Sequence, residues 1–454
     1  MNLPNYFLAD LPPEATLSPA MITEACQTLK RNREQHLAAR STAGLVKILD
    51  EVAEGWLEPD NAFRKLALEL GPAQTGFSRP TLEKGLDNFF RQLTRDNFHS
   101  LLQQEFGDAK RLDKFVSSNV EEKSDRAAIA TGPEFLVHIA AGSIPNPTLT
   151  SMVFGLLTRS AQFVKCASGS SFLPRMFAHS IYDTDPKLGA CLEIADWRGG
   201  NVALERVLFS EADFVTAAGS DETLAAIRER LPIKTRFVGY GHRVSFGFVA
   251  VEVLYGSRSK KVVAAAADDV VAWNQLGCLS PHVIYVEAGG GVSPENFAEL
   301  LAVELEVREQ TEPRGGLPAE HSAAIASRRT VYEVRAAHAP ETTRHWCSKN
   351  STAWTVVFEA DTRFQISCLN RFIYVKSAAN LKSALEGADI VCGKVSTVGI
   401  AAPEETVQEL ASQLARWGAT LVCPLGQMQN PPLAWRHDGR PVLGDLVTWT
   451  DFEQ

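Results

Sequence analysis

The 454-residue chain has no excess of basic residues: 45 Lys and Arg stand against 54 Asp and Glu, for a net charge of −9. A general nucleic-acid binder needs a basic face, so that class is set aside. No Cys-x-x-Cys occurs among the eight cysteines, which are scattered at 26, 166, 191, 278, 347, 368, 392 and 423. This scatter excludes a zinc ribbon and a disulfide framework, and fits reduced thiols in a cytoplasmic protein. His338 and His345 stand seven apart and put no ligand pair on one helix face, so no metal site is expected. No apolar run approaches the length of a membrane span, and the first ten residues lack the basic start and apolar stretch of a signal peptide. Internal repeats and low-complexity segments are missing as well. What is present is ordinary: 45% hydrophobic and 22% charged residues, enough for two or three domains with a sizeable core.

Residues 1–125 read as a charged helical layer. Ser18-Pro19 opens a run to about Arg40, Ser41 caps another to about Gly55, and Ser78-Arg-Pro-Thr81 leads into a helix over 82–104. No chemistry is legible there. From about 134 apolar strand-like runs alternate with helices: strands at 135–139, 162–166, 213–217 and 236–240, with helices at 147–159, from 171, at 202–209 and at 221–231. Alternation of this length predicts a doubly wound, mostly parallel sheet that binds ligands beyond its carboxyl ends. Small and polar residues gather at those ends, in Ala140–Pro147, Ala167–Ser171, Ala217–Asp221 and Gly239–His242. Such turns suit a pyrophosphate at helix N-termini, and equally suit short connecting loops. No Gly-x-Gly-x-x-Gly is present, because Gly239-Tyr-Gly241 lacks its third glycine.

A second α/β unit follows from about Lys261. Strands are expected at 282–287, 329–334, 353–359, 371–375, 389–392 and 420–423, with helices at 294–310, 377–386 and 404–416. The proline-rich tail reads as extended, with a hairpin signal at Asp438-Gly439 and a strand at 441–449 whose Val442, Leu443, Leu446 and Val447 suit packing on another subunit. Within this unit Cys278 stands on a Gly-Cys turn between an Ala/Val-rich helix and a buried strand. A thiol so placed is held by rigid elements yet open to substrate, and thiolates attack acyl groups. A packed core cysteine is the competing reading.

Five segments, in order, are similar to the aldehyde dehydrogenase superfamily, and within it to the LuxC-type fatty acyl-CoA/acyl-protein thioester reductases. They are Gly142-Ser-Ile-Pro-Asn146-Pro, Phe163-Val-Lys165-Cys-Ala-Ser168, Ala217-Ala-Gly219-Ser220-Asp-Glu-Thr, Gly239-Tyr-Gly241-His-Arg-Val-Ser245 and Gln275-Leu-Gly-Cys278-Leu-Ser-Pro. Gly426-Gln-Met-Gln-Asn-Pro-Pro and Trp435-Arg-His-Asp-Gly also resemble this subfamily. The resemblance covers about 125–450. It implies two doubly wound, Rossmann-like α/β domains with an N-terminal helical layer and a small extended oligomerisation tail. Boundaries are expected at 1–125 (layer), 126–258 (nucleotide binding), 259–424 (catalytic) and 425–454 (tail).

By this resemblance Cys278 is the nucleophile, Asn146 lines the oxyanion hole, and Lys165 and Ser168 face the adenosine ribose. Gly219, Ser220 and Gly241 cradle the cofactor, and Glu359 is the nearest candidate for the nicotinamide ribose, with a solvent-facing strand-end Glu as the plainer reading. Aldehyde-oxidising relatives carry a water-activating Glu in the glycine-rich segment, whereas 238–248 holds no acid at all. That departure favours passing the acyl group to hydride or to another thiol. His242 becomes a candidate proton donor, or simply a loop-packing histidine. Ser168 stands where NAD-preferring relatives often have Glu, so NADPH is expected over NADH. The expected activity is reduction of an acyl-CoA or acyl-carrier thioester to a fatty aldehyde. Acyl transfer by the same cysteine and a silent nucleotide-binding scaffold are the alternatives. A homo-oligomer, dimer or tetramer, is implied, with acyl-transferase and synthetase subunits as candidate partners.

Overall fold

The computed structural model describes residues 3–12, 14–142 and 144–453. The chain divides into two compact units. One comprises 1–75, 86–241 and 432–454, and the other 76–85 and 242–431.

In the first unit, β1 (Arg126–Thr131) pairs antiparallel with the chain's last strand. Five parallel strands form its sheet: β2 (Phe135–Ile139), β3 (Ala161–Cys166), β4 (Leu192–Asp196), β5 (Phe214–Ala218) and β6 (Arg236–Tyr240), in the order β4-β3-β2-β5-β6. Phe135, Val137, Phe163 and Val215 from these strands pack with Ile22, Cys26 and Leu29 of helix Pro19–His36. The N-terminal helices are therefore part of this unit's core. They are not a separate layer, because the sheet needs them to cover its apolar face. On helix Thr42–Leu57, Trp56 Nε1 donates to Ser180 Oγ at 2.8 Å, within the same unit. Central His138 is a satisfied core histidine: Thr216 Oγ1 at 2.6 Å and Gln162 Oε1 at 3.0 Å hold both ring nitrogens, and burial pushes its pKa down to about 4.

The second unit holds β7 (Val244–Val249), β8 (Pro281–Glu287), β9 (Thr343–Cys347), β10 (Thr355–Glu359), β11 (Phe372–Ala378), β12 (Val395–Ala401) and β13 (Leu421–Pro424). Their order is β13-β12-β7-β8-β11-β10-β9, all parallel except the edge strand β9. One apolar cluster covers each face, the first built on Ile284, Val286, Ile373 and Val375, the second on Val283, Tyr285, Phe372 and Tyr374. This alternation along β8 and β11 is the period-2 signature of a strand buried on both faces. No helix among the described residues is long and apolar enough to cross a membrane.

Several expectations need correcting. The boundary between units falls at 241/242, since β7, read from sequence as part of a glycine-rich loop, is a fully buried central strand of the second sheet. Residues 82–104 are two helices, Arg79–Phe90 and Arg95–Phe106, the second capped by Thr94 Oγ1 accepting from Asn97 N at 3.3 Å. The strand expected at 329–334 lies inside helix Ala319–His338, where Ile325 and Tyr332, seven apart, are the buried face. The strand expected at 389–392 is a short 3₁₀ turn ahead of β12. In the tail, Asp438-Gly439 is likewise a 3₁₀ turn, and the strand is β14 (Thr448–Glu453), paired with β1. Val442, Leu443, Leu446 and Val447 are buried within their own chain, so these side chains are not exposed for packing on another subunit. The tail from 432 belongs with the first unit, where the His437 ring stacks on Tyr240 at 4.2 Å.

Candidate active site

In a parallel sheet all carboxyl ends share one edge. In the first unit that edge carries Lys165 on β3, Ser168 just beyond it, Gly219 and Ser220 after β5, and Gly241 after β6. Lys165 is nearly buried, and its Nζ lies 5.6 Å from the ring centroid of Trp197, which follows β4. Burial lowers its pKa, against the pull of Glu205, Cys166 and Asp196. Its ammonium makes no hydrogen bond or ion pair among the described residues. Glu205 and Asp196 attract it without ion-pair contact, so a ligand oxygen would add a hydrogen-bond partner. Ser168 is exposed on the turn that follows.

Ser220 caps helix Asp221–Arg230, its Oγ accepting from Thr223 N at 3.3 Å. Asp221 and Glu222 occupy the first turn of that helix and already complement its dipole, so it is a poor anion cradle. A Cβ on Gly241 would stand 2.5 Å from Oδ1 of exposed Asp221, whose carboxylate would swing aside. Asn146 opens helix Asn146–Leu157, with Oδ1 buried and its side chain unbonded among the described residues. The orphaned oxygen is an acceptor, and only the amide nitrogen Nδ2 could donate to a ligand oxygen. Ser143, in the same loop, lies outside the described residues.

Sequence reading missed Asp196 at the end of β4, where it pairs in register with Cys166 and accepts from Ser171 Oγ at 2.5 Å. It is an acid on the nucleotide edge, one strand from Lys165. The signal was hidden because β4 itself was not recognised.

In the second unit Cys278 lies at the amino edge of the sheet, just ahead of β8, and not at a carboxyl edge. It is half-buried. Ser245 Oγ on β7 donates to the Cys278 carbonyl at 2.8 Å and accepts from Thr397 N at 3.1 Å. Gln429 Nε2 donates to Ser280 Oγ, and a Cβ on Gly277 would stand 2.4 Å from that same nitrogen. Gln429 belongs to the segment that resembled the subfamily. Its neighbours are pinned by Asp269, whose carboxylate takes Gly426 N at 2.5 Å and Met428 N at 2.9 Å. Trp273, Asn274 and Gln275, just before the cysteine, are all left-handed, with φ of 49°, 53° and 63°. Each such non-glycine residue costs about 1–2 kcal/mol, so the surroundings must hold this turn in place.

His242 stands exposed immediately before β7, so it and Cys278 lie at the amino ends of neighbouring strands. A second histidine, His282, occupies a β-bulge: Ser245 pairs with Pro281 and Phe246 with Val283, leaving His282 as the extra residue. Bulges re-aim side chains, commonly beside active sites. Burial, with a smaller push from His242, lowers its pKa to about 4. Its Nδ1 accepts from Ser367 N at 3.1 Å, which leaves the proton on Nε2. Elsewhere burial pushes the thiols of Cys26, Cys166, Cys191 and Cys423 up to about 12 and raises that of Cys368. Those sulfurs are poor nucleophiles at neutral pH.

Glu359 is not brought to this site. It ends β10 beside Lys376, which pairs with Tyr285, four residues or about 13 Å along β8 from the strand's start. It is not solvent-facing. Its Oε2 takes Lys376 Nζ at 2.6 Å, and Arg335 Nη2 stands 2.7 Å from Oε1 as a charge contact without hydrogen-bond alignment. Among the described residues no group of His, Cys, Asp and Glu could hold a metal.

The sequence model of one family, described as acyl-CoA reductase (LuxC), matches residues 37–449. Long-chain acyl-protein thioester reductase 2 of Photobacterium leiognathi is 22% identical over 323 residues, covering 70% of this chain. The match spans 64% of that relative's length, just under two thirds. Among solved structures, an NAD-dependent benzaldehyde dehydrogenase of Corynebacterium glutamicum superposes with a TM-score of 0.69 at 13% identity, covering 97% of this chain and 91% of its own. NADP-dependent glyceraldehyde-3-phosphate dehydrogenase of Bacillus halodurans C-125, complexed with NADP, gives 0.70 at 13%, covering 96% and 92%. At such identities the likeness is one of fold, and the fold is that of the aldehyde dehydrogenases. The five ordered motifs and the match over 37–449 together establish that the chain belongs to the acyl-CoA reductase (LuxC) family.

Proposed function

We propose that this oxidoreductase reduces an acyl thioester, carried on CoA or on a protein, to a fatty aldehyde through an S-acyl intermediate on Cys278. The observation that carries this reading is a half-buried thiol on a loop clamped by Ser245 and Gln429, in a segment with no water-activating acid. The Cys278 thiolate attacks the thioester carbonyl. The carbon–sulfur bond to the carrier breaks, and the carrier thiol leaves with a proton. Asn146 is assigned the developing oxyanion, with the Cys278 backbone N–H as the second donor. Each such donor typically contributes about 3–4 kcal/mol. A bound reduced nicotinamide supplies the hydride that reduces the acyl carbon. As the thiohemiacetal collapses and the carbon–sulfur bond breaks, His242 is assigned the proton that the departing sulfur takes up, releasing aldehyde and regenerating the Cys278 thiol. The lack of an acid over 238–248 leaves water without a base, which favours aldehyde over hydrolysis.

The cofactor reading is NADPH. Lys165, a nearly buried cation with no ion-pair contact among the described residues, fits an adenosine ribose or its phosphate. Ser168 removes the carboxylate that would repel a 2′-phosphate, although Asp196 leaves one acid on that edge. Incubation with long-chain acyl-CoA should leave a hydroxylamine-labile acyl group on Cys278, absent in Cys278→Ala. NADPH should then discharge it as aldehyde. An adduct that NADPH never discharges would sink the reductase reading and leave acyl transfer.

A further inference from the structure

The left-handed turn ahead of Cys278 has a counterpart. Leu369, Asn370 and Arg371, just before β11, are also left-handed, with φ of 57°, 54° and 65°. β8 and β11 are adjacent and parallel, so the two turns enter neighbouring strands from the same edge. They are tied directly: Arg371 Nε donates to Asn274 Oδ1 at 3.0 Å, and Gln275 Nε2 donates to Phe372 O at 3.2 Å and to Pro281 O at 2.8 Å.

The first tie is one side of a closed ring. Asn274 Nδ2 donates to Arg314 O at 2.8 Å, and Arg314 N donates to Glu309 Oε2 at 3.1 Å. The same Glu309 oxygen accepts from Arg371 Nη1 at 2.9 Å. Arg371, Asn274, Arg314 and Glu309 thus close on themselves, joining the approach to β11, the nucleophile loop, and helix Pro294–Thr311 with the turn after it.

Arg371 is wholly buried, and its Nη2 has no hydrogen-bond partner. Burial lowers its pKa to about 10, which still leaves it a cation at neutral pH. A buried ion pair with an orphan donor is a poor device for stability, since apolar residues of similar volume commonly serve as well. Its best-attested use is to select one geometry. Apart from the Gln275 hydrogen bonds, the other restraints on the turn are packing contacts. A Cβ on Gly85 would stand 2.1 Å from Trp273 Cζ2, and the Phe77 ring meets the indole edge-on at 5.1 Å. These fix Trp273, whereas the ring fixes Asn274, four residues from the thiol.

We propose that Arg371 is a positioning residue for the nucleophile: through the closed ring with Asn274, Arg314 and Glu309 it holds the left-handed turn that sets the Cys278 thiol. The proposal rests on the reading of Cys278 as the acyl-carrying nucleophile. It predicts two variants with one phenotype. Arg371→Met removes the donor, and Asn274→Ala removes its acceptor while leaving the Arg371–Glu309 pair intact.

The test measures the burst of CoA released on acylation, the KM for acyl-CoA, and the pH profile of Cys278 alkylation by iodoacetamide, all below each variant's unfolding temperature. Both variants should acylate about tenfold or more slowly with KM within twofold of wild type, and the alkylation profile should change in both. The double variant should lose no more than the worse single one, because either substitution opens the same ring. Should Arg371→Met fail to fold, Asn274→Ala carries the comparison. Wild-type alkylation rates and pH profiles in the folded variants would overturn the inference. A wild-type enzyme that alkylates at Cys278 yet never acylates would overturn the proposed function instead, with the alkylation profile still deciding the ring.

Discussion

Ser245→Ala removes one hydroxyl that serves two backbone groups at once. The hydroxyl donates to the Cys278 carbonyl and accepts from the Thr397 amide, and both Ser245 and Thr397 are fully buried. An unsatisfied buried backbone group costs about 1–3 kcal/mol. The Thr397 amide counts in full and the carbonyl of half-buried Cys278 counts less, which sums to about 2–4 kcal/mol. With an m-value of about 3 kcal/mol/M for a unit of this size, the urea midpoint of the second unit should fall by about 1 M. Following the buried tryptophans Trp273 and Trp354 by fluorescence reads that unit, and acylation kinetics read the site. The acylation rate should drop with the stability, since the lost bond anchors the residue that attacks. A midpoint within about 0.2 M of wild type, together with an unchanged acylation rate, would refute the reasoning.

Four further outcomes are expected. Glu359→Gln should destabilise the second unit by about 3–5 kcal/mol, because it leaves Lys376 buried with only half-exposed Asp361 as its counter-charge. Its KM for NADPH should not change, and a raised KM would return Glu359 to the cofactor. Ser168→Glu should cut kcat/KM with NADPH ten- to a hundredfold, about 1.5–3 kcal/mol, and spare NADH. Asp196→Asn should act in the opposite sense, and Lys165→Ala should hurt NADPH more than NADH. Equal losses with both nucleotides would defeat the 2′-phosphate account.

The pH prediction sets two groups in the second unit against each other. Burial lowers the pKa of His282 to about 4, so between pH 4 and 6.5 the unfolded chain binds more protons there. Its contribution, up to about 3 kcal/mol, is whole above pH 6.5 and lost as pH falls toward 4. Burial raises Asp269 to about 7 despite two backbone donors, so there the folded state keeps the proton and stability falls as pH rises through that range. His282→Gln leaves Asp269 unopposed. Its urea midpoint should therefore fall from pH 4.5 to 6.5 more steeply than that of wild type. Identical slopes would show that His282 is not buried neutral.

The five motifs were legible in the sequence because a nucleophile turn and strand-end glycines are local features. The β/α alternation was legible for the same reason, since a strand buried on both faces writes an apolar run into six or seven residues. Where β-branched residues lay on a helix, as at Val331 and Val334, composition pointed to a strand, and only the buried spacing of Ile325 and Tyr332 reveals the helix. β7 was hidden because Ser245 and Gly247 interrupt its apolar run to meet the nucleophile loop and Leu425.

By itself, then, the sequence determined the family, the fold class and the lack of an acid over 238–248. Each rests on residue type and on short motifs read in order along the chain. Tertiary structure alone decided that the cysteine stands at an amino edge, that Glu359 is spent on Lys376, and that Ser245, Gln429 and Arg371 hold the loop. Those ties join residues up to 152 positions apart, the separation of Thr397 and Ser245. Whether one side chain serves as a clamp or a surface charge depends on what the packed sheet brings against it, and no local pattern encodes that.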